Sequence, residues 1–280
     1  MIAIEWVKQF HRPKAYATLG IVASFSLVLT VALALTGSGQ TEFVGDLPLQ
    51  MVPRASGYSV PIIALSSTMK FFLPLAVALF AGESVAGEAG WGSLRYVMAR
   101  PVSRTRVLWS KAAVAGVLSL VSVMIITVVS LVVGAMAFGL HPLPIVDGRA
   151  SAPDHVVSAT ISGGAMLGSL ALSTLYVTAG MASIFAAAFF LSTTTRRPLV
   201  AVAGGVGLTI ISRIFNGDYL PGVSVVNKYM PNNDIDLWQH LFLRPAATDG
   251  FVHFLLLQLV YFVVLMGLAQ WWFTRKDLLH

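Results

Sequence analysis

The sequence predicts an all-α membrane protein with six transmembrane helices, an N-terminal interfacial amphipathic helix and a polar hairpin on the cytoplasmic side. Three observations lead there. The first is composition: 280 residues, 56% hydrophobic, 11% charged, with mean hydropathy +0.80, where a soluble domain carries about 25% charged residues. The second is length. Six apolar runs, at about 15–36, 60–81, 112–138, 165–191, 198–214 and 252–273, approach or exceed the roughly 20 residues that a spanning helix needs. The third is where the charge falls. With the N-terminus inside, twelve of the 18 basic residues are cytoplasmic: Lys8, Arg12, Lys14, Arg95, Arg100, Arg104, Arg106, Lys111, Arg196, Arg197, Arg275 and Lys276. Five lie outside (Arg54, Arg149, Arg213, Lys228 and Arg244), and Lys70 falls within a span. This positive-inside bias puts both termini in the cytoplasm. The net charge of +6 thus belongs to the membrane surface rather than to nucleic acid.

Residues 1–14 read as a helix lying on the inner membrane surface. Ala3, Trp6, Val7 and Phe10 share one face, with Glu5, Lys8 and Gln9 elsewhere, the amphipathic pattern of an interfacial segment. Pro13 breaks it from the first span. That span is too long for the roughly 7–15-residue apolar core of a cleaved signal. In the second span, Ser66 and Ser67 share a face with Lys70 at helical spacing, and Pro74 cannot donate to the Lys70 carbonyl, which predicts a kink. A mid-span lysine costs about 2.5–3.5 kcal/mol on insertion scales. Lys70 therefore either lines a wet, protein-walled cavity with Ser66 and Ser67, where it would attract an anionic group, or snorkels outward or pairs with an acid. Residues 82–111 form the polar hairpin: a helix leaving the membrane from Gly82, a stop at Pro101, a cap at Ser103, and Arg104, Arg106 and Lys111 at the inner lipid surface. Gly164 and Gly168, with Gly204, Gly205 and Gly207, predict close helix packing in the fourth and fifth spans. Segment 215–251 is too apolar for a plain external loop. Ile235, Trp238 and Leu241 fall on one side of a short helix, which either re-enters the membrane or packs on the helix ends.

Several chemistries are excluded. The chain has no cysteine, so it has no disulfide, thiolate metal site or cysteine nucleophile. None of its lysines follows a glycine, so there is no Walker A loop. The six histidines form no metal-ligand spacing, and no nucleophile–base set lies at membrane depth. No catalytic residue, metal site or cofactor is expected in this chain. Positive-inside anchoring alone accounts for the arginines of the hairpin, but less well for its two glutamates, Glu83 and Glu88.

Glu88, Gly92-Ser93-Leu94, Pro101-Val102-Ser103-Arg104 and Lys111 resemble the inner-loop signature of ABC-2 type transporter permeases: an acid, Gly-Thr-Leu, then Pro-x-Ser-Arg and a lysine before the third span. Ser93 replaces the usual threonine and keeps the hydroxyl, while Ala89 stands where a polar residue often follows the acid. The match is strong over about 30 residues (82–111) and loose along the rest. The resemblance implies the membrane-spanning permease subunit of an exporter, paired with a second permease subunit and a separate ABC ATPase that binds ATP and Mg. Hairpin 82–111 would be its coupling helix, with Glu83, Glu88, Gly92, Arg95, Arg100, Ser103 and Arg104 as the ATPase-coupling residues, and Ser66, Ser67 and Lys70 on the substrate path. Drugs, lipids and polysaccharides are the substrates the resemblance implies, and the cell (inner) membrane is the location. A six-span intramembrane or lipid-modifying enzyme and a non-transporting assembly factor are the rival readings.

Overall fold

The computed structural model describes residues 2–10, 13–35, 56–92, 103–146, 157–216, 228–242 and 248–275. Among these the chain forms helices α1 (Ile2–Phe10), α2 (Pro13–Leu35), α3 (Ser59–Thr68), α4 (Phe72–Gly90) and α5 (Arg104–Phe138). A short antiparallel hairpin follows, β1 (Leu143–Val146) with β2 (Val157–Ile161). Then come α6 (Gly163–Gly180), α7 (Ala182–Thr194), α8 (Pro198–Asn216), a 3-10 segment (Asn233–Phe242) and α9 (Phe251–Arg275). Six helical stretches are long and apolar enough to cross a membrane, and the protein is an all-α, multi-pass membrane protein. Arg104 Nη1 donates to the Thr274 carbonyl at 3.2 Å, and α1 packs on α5. The first and last helices therefore meet at one end of the bundle, called here the charged end. The β-hairpin lies at the far end. It went unforeseen in the sequence, although Val157-Ser-Ala-Thr-Ile161 alternates as a strand does.

The second span departs from expectation. Instead of one kinked helix over 60–81, the chain closes α3 at Met69, whose N–H bonds the Leu65 carbonyl, and restarts at Phe72 beyond Phe71 (φ −148°, ψ −52°). Pro74 sits in the first turn of α4, where the N–H it lacks would have had no helical partner anyway. The proline thus starts a helix rather than kinking one. The span then runs on to Gly90, so Glu83 and Glu88 extend a membrane helix instead of opening a free loop. On the other arm α5 begins at Arg104, well before the expected residue 112. With 35 residues it is about 52 Å long, longer than the roughly 30 Å hydrocarbon layer.

Helix α7 is the centre of the bundle, packed on α4, α8 and α9. Small residues allow the approach. A Cβ on Gly205 would lie 2.8 Å from Ala188 Cβ and 3.1 Å from Ala78 Cβ, and one on Gly82 would meet Val202 at 2.9 Å. Buried Ser192 Oγ accepts the N–H groups of Val85 (3.1 Å) and Ala86 (2.8 Å), tying α7 to α4. Gly204 and Gly205 thus pack as predicted. Gly164, Gly168 and Gly207 do not, since among the described residues a Cβ on any of them would meet no atom beyond its own helix backbone within 4 Å. Helix α6 instead uses its hydroxyls. Ser169 Oγ donates to the Leu241 carbonyl (3.0 Å) and Tyr176 OH to the Asp234 carbonyl (2.9 Å). These bonds hold the 3-10 segment against α6, with Ile235 and Trp238 buried as expected and Phe242, rather than Leu241, as the third buried apolar residue.

At the far end Gly57 and Gly134 bring two backbones together: a Cβ on Gly57 would sit 2.6 Å from the Gly134 carbonyl group. Backbone cannot yield as a side-chain tip can. Gly57→Ala is expected to cost at least the roughly 1–3 kcal/mol of overpacking, read as a lower melting temperature in detergent. Gly164→Ala, at an open position, is the control expected to leave it unchanged.

Candidate functional site: the charged base of the bundle

The charged end holds two ion-pair groups that join the N-terminal helices to the arms of the hairpin. In the inner group, Lys111 of α5 is fully buried. Its Nζ lies 2.7 Å from Glu88 Oε2 of α4 and 3.2 Å from Glu5 Oε2 of α1. Glu88 is 2% exposed and Glu5 5%, and Lys8 of α1 completes the set through Glu88 Oε1. Two anions meet two cations, so the group is neutral, as burial away from water requires. In the outer group, Lys14 Nζ lies 3.1 Å from Glu83 Oε1 at the rim. Five residues along a helix turn the chain by about 140°, which is why Glu88 points inward while Glu83 faces α2.

Local sequence dictates how α1 docks. Glu5 and Gln9, one turn apart, are buried against the bundle, while Val7 is 56% exposed. Glu5 and Gln9 therefore face protein together with Trp6, which packs on the core, while Val7 is left outward. The sequence showed the amphipathic helix but not that its acid is an internal ion-pair partner.

The residues singled out from the sequence fall into three sets. Glu83 and Glu88 belong to the paired groups just described, and Glu88 is not on a docking surface. Lys111 is likewise a core residue of the base, not a marker of the lipid surface. Gly92, at φ +69° and exposed, accepts the left-handed conformation that ends a helix, with its N–H 3.3 Å from the Ala89 carbonyl. Arg95 and Arg100 lie outside the described residues. Ser103 occupies the N-cap position of α5 with extended backbone, but its side chain makes no cap bond; its carbonyl accepts the Val107 N–H. Arg104 bonds the last turn of α9, placing a cation where the helix dipole favours one.

Ser66, Ser67 and Lys70 are not brought onto one surface. Ser66 is buried and donates to the Ile62 carbonyl at 2.9 Å, Ser67 is half-buried, and Lys70 is exposed at the α3–α4 break. Helix α3 ends at Thr68 with Met69 as its C-cap, so Lys70 stands just beyond the helix that carries Ser66 and Ser67. Among the described residues no set of three or more His, Asp or Glu side chains is placed to hold a metal.

Two partners escaped the sequence reading. Gln258 of α9 is buried, accepts the Ser183 N–H at 3.1 Å and donates to the Pro231 carbonyl. It links the α6–α7 break to the 3-10 segment, and a glutamine inside an apolar run was the available signal. Lys8 was read only as an interfacial charge.

The chain is similar to Uncharacterized protein YhcI of Bacillus subtilis (strain 168), with 25% identity over 231 residues that cover 81% of this chain and 72% of that protein. Residues 19–279 match the family described as protein of unknown function (DUF2705). That match runs from the first third of α2 to beyond the end of α9, so the chain belongs to the DUF2705 family.

Proposed function

We propose that this chain is the membrane-spanning permease subunit of an ATP-driven ABC transporter, exporting a hydrophobic or amphipathic substrate. It would work with a second permease subunit and a separate ATPase that binds ATP and Mg. The charged end is the cytoplasmic side in this reading, with both termini there, in the inner membrane. One observation carries the proposal. The two arms of hairpin 82–111 are locked at their base by the buried Glu88–Lys111 pair, and α1 is fastened to the same pair through Glu5 and Lys8. A lipid-facing turn has no need of such a base. A lever does, because a push on residues between the arms then moves α4, α5 and α1 together, and α4 bears directly on the central α7.

The test is co-expression with a P-loop ATPase encoded beside this chain. The expected result is a complex that survives affinity purification and hydrolyses ATP. A chain that purifies without any ATPase partner and hydrolyses none would return the reading to an intramembrane enzyme or assembly factor.

Lys70 belongs to this proposal as a cation at the exposed α3–α4 break, available to an anionic amphiphile. Lys70→Met is expected to lower ATP hydrolysis stimulated by anionic substrates while basal hydrolysis stays. Loss of both, or of neither, would assign the lysine to structure.

A further inference from the structure

Beside the outer ion pair, between α2 and α4, lies a cleft of about 220 Å³. Its lining is graded. At the charged end stand Gln9, Lys14, Glu83 and Ser84; Ala15 and Thr18 follow along α2, and deeper stand Ile21, Leu79 and Phe80, with Leu118 of α5 behind them. The gradient follows from chain direction: α2 enters the bundle from the charged end and α4 runs toward it, so both helices become apolar at the same depth. The resulting cleft is polar at the level of lipid headgroups and apolar at the level of their chains.

Its polar mouth carries one cation and one anion. Lys14 is 69% exposed and Glu83 25%, and an exposed pair of this kind contributes little, about 0–1 kcal/mol. It is therefore easily opened, unlike the buried Glu88–Lys111 pair behind it. Gln9 of α1, itself buried, borders the cleft beside them. We propose that this cleft is a headgroup-selective site for a zwitterionic phospholipid, with the phosphate on Lys14 and the ammonium of an ethanolamine head on Glu83. Such a ligand replaces one weak, solvent-screened pair by two charge-assisted contacts and buries the start of an acyl chain on Phe80, Ile21 and Leu118. Phosphatidylglycerol satisfies Lys14 with the same phosphate but has only a neutral glycerol head to offer Glu83. A quaternary choline head keeps the charge but has no N–H to donate. The inference does not rest on the transport reading and holds for any activity of this chain.

The test is native mass spectrometry of the whole protein from nanodiscs of matched phosphatidylethanolamine, phosphatidylglycerol or phosphatidylcholine content. The wild type is expected to retain phosphatidylethanolamine through delipidation in preference to the other two. Glu83→Gln is expected to weaken that retention about tenfold, the equivalent of one charge-assisted hydrogen bond, and to abolish the preference over phosphatidylglycerol. Thr18 lines the cleft one turn beyond Lys14, so Thr18→Phe, which fills the space and leaves the charges, is expected to lower retention of all three. Glycerophosphoethanolamine, which has the head but no chains, is the probe for a soluble ligand and is expected not to bind. Melting temperatures of both variants establish that each is folded. Equal retention of the three lipids by the wild type, or unchanged selectivity in Glu83→Gln, would overturn the proposal. Tight binding of the chain-free probe would replace a lipid by a soluble zwitterion.

Discussion

Glu88→Ala is expected to be the most destabilising single charge removal in this chain. The substitution leaves Lys111 fully buried with only Glu5, at 3.2 Å, to offset it, and leaves Lys8 without its carboxylate. Breaking a buried pair by deleting one partner costs about 3–5 kcal/mol, a large share of the roughly 5–15 kcal/mol that holds a domain together. The expected readouts are a sharply lower melting temperature in detergent and poor yield from membranes. Lys111→Met in the same background is expected to recover part of the loss, because it removes the buried charge and leaves Glu5 and Lys8, three residues apart on α1, to pair with each other. A double variant no better than Glu88→Ala would place the loss in packing rather than charge. A single variant that melts like the wild type would mean that α1 does not depend on this group.

That result also bears on what the sequence could disclose. The spans were legible because length and apolarity are local properties, and Ile235 and Trp238 because helical spacing marks a buried face without naming its partner. The two residues that matter most at the charged base were visible but misread. Glu88 and Lys111 looked like surface residues of a hairpin, since charge near a span end ordinarily means headgroups. Their pairing crosses from one arm to the other and recruits Glu5 from 106 positions away, which no local pattern encodes. Lys70 was expected inside one continuous kinked helix; the chain instead closes α3 and restarts beyond Phe71, three residues before the proline expected to cause the kink. Gly164 and Gly168 failed as a packing signal because small residues permit close approach but do not supply the neighbour.

The same geometry fixes how the proposed coupling role is best tested. Glu88 is unsuitable, since its loss disturbs the base itself, and Arg104 also bonds the end of α9. Arg95 and Arg100 fall between the two arms in sequence and enter the proposal only as coupling residues that the family resemblance implies. Replacing both by alanine is expected to leave the melting temperature of the isolated chain unchanged while the ATPase is lost on purification. Arginines at the centre of an interface cost about 2 kcal/mol or more each when truncated, so the pair together weakens the partner's affinity on the order of a thousandfold. A double variant that keeps its ATPase and its hydrolysis rate would reduce the hairpin to an anchor in the headgroup layer. A fall in the chain's own melting temperature would instead make these arginines part of the fold. Retention of the ATPase with loss of stimulated hydrolysis alone would separate docking from transmission and leave the lever to the Glu88–Lys111 base.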